Sequence, residues 1–321
     1  MKEFKTARQQ VRILKSKGLG ITSDDPVIHF LEQEGYYKVI DTYKDIFLKK
    51  DEEGNTVAPE TYVPETTFNQ VRALFTFDRK LRMLFLNPIL IFEQSFKSVI
   101  SHEFSRKYGS DASYLDFTNY NQDKLKDVLT MIAAFTKIID RRMKEGGNIE
   151  HYLTNHGSVP LWVLINYLSL EELSLFYSVL KEKDQQLIAD YFAGNYYRQN
   201  RKNESVAQLR IYPENVEAAL EIFVRIKEKC LFDDRLFDID LPQADITDFA
   251  GYYGVYRYEN KRIVAVILYL RAFLDKKYYR TLMSGFINLL DEFQKKVGEE
   301  QFKTVSALMG IDEEDILTRF K

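Results

Sequence analysis

The sequence predicts an all-α fold, mostly helical, with room for one small β-hairpin. Apolar residues recur at helical spacing through most of the 321 residues. Residue pairs that form capping boxes precede three of these segments: Thr6 with Gln9, Thr67 with Gln70, and Ser169 with Glu172. No Gly/Ser-rich or Pro-rich linker divides the chain, so we expect one helical body. We expect an N-terminal helical part, a core and C-terminal helices at residues 1–66, 67–241 and 242–321.

The bulk composition is that of an ordinary soluble globular protein. The chain is 45% hydrophobic and 29% charged with a net charge of -3, so any nucleic-acid surface must be a local patch. The lone Cys230 excludes an intramolecular disulfide, and the scattered histidines give no zinc-ligand spacing. We therefore expect no metal and no cofactor. The N-terminus has no apolar signal segment, and residues 263–270, the longest apolar run, are too few to cross a bilayer, so we expect a cytoplasmic protein without a membrane partner.

The first 66 residues predict two short helices and an irregular connection. Residues 6–17 form a basic helix, and Asp25-Pro26 opens a second helix that Gly35 closes. The stretch that follows, residues 48–66, is polar and rich in turn signals. Two β-prone pairs in it either form a hairpin or belong to a loop: Thr56-Val57 and Tyr62-Val63.

Residues 67–109 form the longest helical segment, and we expect the rest of the chain to pack around it. Pro88 cannot donate to the helical hydrogen-bond ladder, so we expect a kink there or a new helix capped by Asn87. Charged residues of both signs lie between the apolar positions, among them Arg79, Arg82, Lys97, Asp78 and Glu93. Such a face is either the solvated side of a core helix or a surface for a polyanion.

Further helices are expected at residues 125–143, from Pro213 onward, and at residues 263–273 and 280–293. The apolar side of the first is predicted to carry Leu129, Ile132, Ala133, Thr136 and Ile139. Residues 196–203 interleave tyrosine with cations, which suits either stacking on unpaired bases or an exposed flexible loop. The chain has no Walker A loop, dinucleotide glycine fingerprint or Gly-x-Ser-x-Gly elbow, which argues against a kinase, a dehydrogenase and an α/β-hydrolase.

Several short motifs occur in a recognisable order. They are FDRKLR at residues 77–82, the step from Glu93 to Lys97, His151-Tyr152, and Val159-Pro160-Leu161-Trp162. In this order they resemble the Abi (abortive infection) family of the AbiD/AbiF type, bacterial phage-defence proteins related to the HEPN RNase superfamily. The resemblance implies a HEPN-like helical bundle with an N-terminal helical extension, RNA as a partner and, by analogy, a homodimer. Two positions depart from the family's pattern: Lys97 stands where Arg is usual, and Asn166 where Glu is usual.

The resemblance also predicts where an RNase site would lie, and that site has lost its motif. HEPN RNases carry Arg-Asn-x-x-x-His, in which the His moves a proton at the ribose 2′-OH and the Arg steadies the phosphate charge. Alignment on residues 235–237 puts Lys227, Glu228 and Phe232 at these positions. Phenylalanine has no titratable proton, and glutamate repels phosphate. A register shifted to Arg225 offers only Cys230 in place of the His, so we predict no metal-independent RNA cleavage.

Three functions remain open at this stage. The first is an RNA-binding Abi-family protein that no longer cleaves through the HEPN motif. The second is an RNase with displaced chemistry that uses His102, His151 or the basic cluster at residues 225–235, and the third is a protein-interaction module without RNA. The phosphate-binding candidates are Arg79, Arg82, Lys97, Arg225, Lys227 and Arg235. Phe232 is predicted to be buried, since an exposed Phe beside Leu231 would leave an apolar patch. A polar histidine such as His151 or His156 is more often structural than catalytic.

Overall fold

The computed structural model describes residues 4–109, 111–200, 209–241 and 262–311. These residues contain helices and turns and no β-strand, which confirms the predicted all-α fold. The α-helices, in chain order, are α1 (Ala7–Ser16), α2 (Asp24–Glu34), α3 (Phe68–Tyr108), α4 (Leu125–Glu145), α5 (Asn148–His156), α6 (Leu161–Leu164), α7 (Leu170–Ser178), α8 (Glu182–Asn200), α9 (Pro213–Leu231), α10 (Ile263–Phe273), α11 (Lys276–Val297) and α12 (Glu299–Leu308).

The chain divides into two compact units. The first unit contains Met1–Leu84, Phe232–Ile239 and Met283–Lys321, and the second contains Phe85–Leu231 and Asp240–Leu282. Helices α3 and α11 each contribute residues to both units. The boundaries expected from the sequence, after residues 66 and 241, stay a prediction.

The N-terminal helices follow their sequence signals, except at the start of α2. The Thr6 hydroxyl accepts from the Gln9 N–H at 3.3 Å, and the Gln9 side chain accepts from the Thr6 N–H at 2.8 Å, which completes the capping box of α1. Helix α2 begins at Asp24, one residue before the predicted cap, and Gly35 ends it with a φ of 84°. Both helices belong to the first unit, in which they pack against each other.

The two pairs that could have formed a hairpin do not pair with each other. Each bonds instead to the segment that precedes them, through isolated antiparallel bridges between Leu48 and Tyr62 and between Lys50 and Thr56. The Val57 N–H donates to the Lys49 carbonyl at 3.0 Å. This part of the first unit is therefore a bridged loop, which is the second of the two alternatives expected from the sequence.

Helix α3 runs without interruption from Phe68 to Tyr108 with Pro88 inside it, so the alternative of a new helix capped by Asn87 is wrong. At its start the Gln70 side chain accepts from the Thr67 N–H at 2.8 Å and donates to the Val297 carbonyl at 2.9 Å. The Gln70 N–H bonds to the Thr67 carbonyl, so only half of the predicted capping box forms.

By length and composition alone, α3 could cross a membrane. Half of its most apolar window is buried inside the protein. The aromatic residues that make it apolar belong to the core, for example Phe85, Phe92 and Phe96 of the second unit.

The core of the second unit is built on α7, α8 and α9, with an aromatic cluster that includes Phe92, Phe192, Phe223 and Phe273. The rings of Phe92 and Phe223 lie 4.7 Å apart, centroid to centroid, edge to face. The capping box of α7 is complete: the Ser169 N–H donates to Glu172 at 2.6 Å, and the Glu172 N–H donates to the Ser169 hydroxyl at 3.2 Å.

Two details of the second unit differ from expectation. Helix α4 ends at Glu145 and buries Val128, Met131, Phe135 and Ile138, so the predicted apolar side is wrong by one residue. Helix α8 continues to Asn200, so the first residues of the predicted loop at 196–203 are helical, with Tyr196 buried and Tyr197 exposed. Residues 201–203 lie outside the described residues.

Candidate nucleic-acid interface

The FDRKLR hexapeptide of α3 forms a buried polar network in the first unit. The Asp78 carboxylate is fully buried and accepts hydrogen bonds from the Tyr43 hydroxyl at 2.8 Å and from the Arg82 guanidinium. It also accepts the backbone N–H groups of Leu236 at 3.0 Å and Phe237 at 2.9 Å. Burial raises the pKa of Asp78, and Arg82, Tyr43 and the two amides oppose that rise. The network ties α3 to the segment after α9.

Arg82 continues this network and is buried by it. Its guanidinium also bonds the Asp233 carboxylate and lies 3.2 Å from the Asp234 carbonyl. Lys38 reaches the same Asp233 carboxylate at 2.8 Å. Burial alone would raise the pKa of Asp233, but Lys38 and Arg82 outweigh it and hold the pKa below its ordinary value. All the hydrogen bonds named here for the Arg82 guanidinium are therefore made to protein groups.

The other two cationic candidates of the first unit are also held in ion pairs. Arg79 makes a two-pronged pair with Glu34, with N–O distances of 2.9 and 2.5 Å, and this hydrogen bonding lowers the pKa of Glu34. Arg235 donates to the Thr42 carbonyl at 2.8 Å and pairs with Asp45 at 2.6 Å. A phosphate would have to compete with these carboxylates for each guanidinium.

The two predicted motif positions on α9, Lys227 and Glu228, lie near carboxyl groups of neighbouring helices in the second unit. Glu93 of α3 is buried and accepts from Lys97 at 2.9 Å and from Lys227. The Glu228 carboxyl neighbours that of Glu171, the second residue of α7. Burial and then Glu228 raise the pKa of Glu171, because two neighbouring carboxylates cannot both ionise freely. The helices thus use these residues to bind one another.

Phe232 is 72% exposed, so the expectation that it is buried is wrong. Helix α9 ends at Leu231, and Asp233 adopts a left-handed φ of 56° just beyond it. The chain then turns so that Leu236 and Phe237 occupy the buried positions of the first unit.

The remaining predicted site residues lie at the surface of the second unit. Arg225 is exposed, with its guanidinium 3.5 Å from the Asp240 carbonyl. His102 contacts Glu103 at 3.1 Å, and His151 bonds Asn155 on its own helix. In the described ranges no group of three or more His, Cys, Asp or Glu residues could hold a metal ion.

A cleft that the sequence did not predict opens in the second unit beside α3 and α6. Its volume is about 540 Å³, and its lining includes Lys97, Ser98, Ser101, His102, Arg106 and Trp162. Trp162 is 47% exposed, and the Asn166 amide donates to its carbonyl at 2.8 Å. Within the part of the chain that the structure describes, no carboxylate lines this cleft. The Ser105 hydroxyl, also in the lining, is buried and has no hydrogen-bond partner among the described residues.

Two carboxylates outside the lining pair with the cations of the cleft. Glu93 pairs with Lys97 and also with Lys227, and Glu103 pairs with Arg106 at 2.5 Å. The two cations of the lining, Lys97 and Arg106, are thus balanced by two carboxylates that do not line the cleft. Burial alone would raise the pKa of Glu103, but Arg106 and His102 outweigh it and lower the pKa. The cleft therefore combines an exposed aromatic ring with two cationic side chains.

The sequence held one signal for this cleft. Trp162 is the only tryptophan in the chain and belongs to the motif at residues 159–162. The motif does not predict that the Trp162 side chain is exposed, because the neighbouring Leu161 and Val163 are buried. Only the fold brings it beside Lys97 and Arg106.

A comparison with protein families gives the class of this protein. The family model described as Abi-like protein matches residues 29–238, which is more than half of the chain. The chain therefore belongs to the Abi-like protein family and is a protein of the abortive-infection type. This confirms the resemblance inferred from the motifs. No curated protein and no solved structure matches the chain.

Proposed function

We propose that this abortive-infection-type protein binds single-stranded RNA in the Trp162 cleft and does not cleave it through a HEPN-type motif. The observation that carries the proposal is the exposed Trp162 ring in a cleft lined by cations and hydroxyls and, among the described residues, by no carboxylate. Unpaired bases stack on aromatic rings while nearby cations neutralise the phosphates.

The cleft supports RNA binding better than the cations first considered. Arg79, Arg82 and Arg235 are each paired with carboxylates, as Lys97 and Arg106 are. None of the three lines the cleft that contains the exposed Trp162 ring. Lys97 is the one original candidate that also lines the Trp162 cleft, where Arg106 joins it.

The absence of cleavage rests on the residues at the motif positions. Phe232 cannot transfer a proton, and the Glu228 carboxyl faces another carboxyl at Glu171. Lys227 is engaged by Glu93. A missing general acid or base typically costs about 10²–10⁴-fold in rate.

The lone tryptophan makes the binding test direct. Stacking of a base on Trp162 should quench the intrinsic tryptophan fluorescence, so titration with a short oligo(U) or oligo(A) RNA should give saturable quenching. Binding measured with a labelled RNA should weaken about 5- to 150-fold in Trp162→Ala, because base–aromatic stacking contributes about 1–3 kcal/mol. Trp162→Phe should keep most of the affinity. Arg106→Ala should weaken binding, and Lys183→Ala, an exposed cation outside the cleft, should not.

The salt dependence and the fate of the RNA complete the test. One or two neutralised phosphates should weaken binding about three- to sevenfold between about 50 and 200 mM salt. The same samples with EDTA should show intact RNA on a gel. Unchanged affinity in Trp162→Ala would reject the cleft and favour a protein-interaction module. Cleavage that survives EDTA and disappears in Lys227→Ala would show a displaced RNase site.

A further inference from the structure

The first unit contains a separate cavity of about 310 Å³ between α3 and α11. Its floor is apolar, made by Phe77, Leu289 and Phe293. The Phe77 and Phe293 rings stack at 4.2 Å, centroid to centroid, with 22° between their planes. The apolar part of the lining favours a ligand with an aromatic ring or an acyl chain.

The rim of this cavity carries more positive than negative charge. Lys80 and Lys296 each contact the single carboxylate of Glu292 at 2.7 Å, and Lys296 and Lys80 together lower the pKa of Glu292 to about 2. The Arg72 guanidinium lies 5.2 Å from the centre of the Phe30 ring, and no carboxylate of the described residues pairs with it. The lining therefore carries three cations and one carboxylate, a surplus of two positive charges.

We propose that this cavity binds a small amphiphilic anion, with an aromatic or acyl body on the Phe77–Phe293 floor and an acidic head at Arg72 and Lys296. The volume lies at the lower end of the range of about 300–1,000 Å³ for small-molecule sites, so the ligand is small. A cation would be repelled by the rim, and a fully polar anion would leave the floor uncovered. None of the lining residues belongs to the Trp162 cleft, so this site does not depend on RNA binding.

The probe 1-anilinonaphthalene-8-sulfonate has this chemistry, an aromatic body with one sulfonate. Titrated into the full-length protein, it should become fluorescent with one saturable site. Arg72→Ala and Lys296→Ala should each weaken its affinity at least fivefold. Ala73→Leu, which extends a side chain into the cavity from α3, should abolish binding. Lys295→Ala, an exposed neighbour on α11 outside the cavity, should change the affinity less than twofold.

Competition separates the anionic head from the apolar body. Dodecanoate should displace the probe, and 1-dodecanol, with the same chain length and no charge, should not. Far-UV circular dichroism of each variant checks that the fold is kept, and Trp162→Ala should bind the probe as the native protein does. Any one of three results would overturn the proposal. The first is that dodecanol displaces the probe as strongly as dodecanoate does, and the second is that Arg72→Ala binds the probe with the same affinity as Lys295→Ala. The third such result is a titration without a saturable site.

Discussion

Replacing Asp78 by alanine tests whether the buried network holds the first unit together. The substitution removes one acceptor and leaves four donors: the Arg82 guanidinium, the Tyr43 hydroxyl and the N–H groups of Leu236 and Phe237. Removing one partner of a buried ion pair costs about 3–5 kcal/mol, and each orphaned donor adds to the loss. The asparagine variant keeps one acceptor oxygen and should lose less.

We expect Asp78→Ala to lower the free energy of unfolding by about 4 kcal/mol, a large share of the roughly 5–15 kcal/mol typical of a protein. Urea unfolding followed by far-UV circular dichroism measures the loss. The matched control is Asp140→Ala, which removes an exposed i,i+4 pair with Lys144 and should cost about 0.5 kcal/mol or less. Equal urea midpoints for the two variants would refute the reasoning.

A double variant isolates the charge pair from the backbone contacts. Asp78→Leu leaves the Arg82 charge without its buried partner, whereas Asp78→Leu with Arg82→Met removes both charges. Since a buried pair can be replaced by apolar residues at little cost, the double variant should unfold at higher urea than Asp78→Leu alone. A double variant less stable than the single one would show that Asp78 acts through Leu236 and Phe237 and not through Arg82.

The remaining predictions concern residues at or near the predicted motif positions. Phe232→His should change the melting temperature by less than 2 °C, since an exposed side chain gives up little burial and surface substitutions stay within about ±0.5 kcal/mol; a clear drop in a thermal melt would show that Phe232 is packed. The raised pKa of Glu171 predicts a pH effect: its contribution to stability is fully present below the unfolded pKa of 4.5 and is lost as the pH rises through the folded pKa. Glu171→Gln keeps a hydrogen-bond donor for Glu228 and should reduce the decrease of the urea midpoint as the pH rises. A decrease as steep as in the native protein would contradict this pH effect of Glu171.

Local sequence signals were sufficient for most helices. The capping boxes at Thr6 and Ser169 and the start of α9 at Pro213 occur where the sequence predicted them. The buried side of α4 was not predictable in the same way. Stripes one residue apart on that helix are both rich in apolar side chains, and only packing against α7 selects the one that contains Phe135.

The charged residues of α3 show why the candidate site was harder to predict. A helix with alternating charges is usually solvated, because burying a charge is costly. Asp78 and Arg82 are buried because the chain returns about 150 residues later and supplies two backbone N–H groups and Asp233. No local sequence pattern shows that the chain comes back to α3 there. The Trp162 cleft was not predicted for a related reason, since its cations and its aromatic ring come from separate helices.

The same network gives a structural role to two segments of the sequence. FDRKLR is one of the motifs that carry the resemblance, residues 235–237 are the segment on which the predicted RNase motif was aligned, and Asp78 joins the two through the amides of Leu236 and Phe237. Their chemistry is that of a buried carboxylate and its donors, which stabilises the first unit whether or not RNA is cut. The presence of these two segments is therefore explained by the fold of the first unit, and it carries no evidence for catalysis.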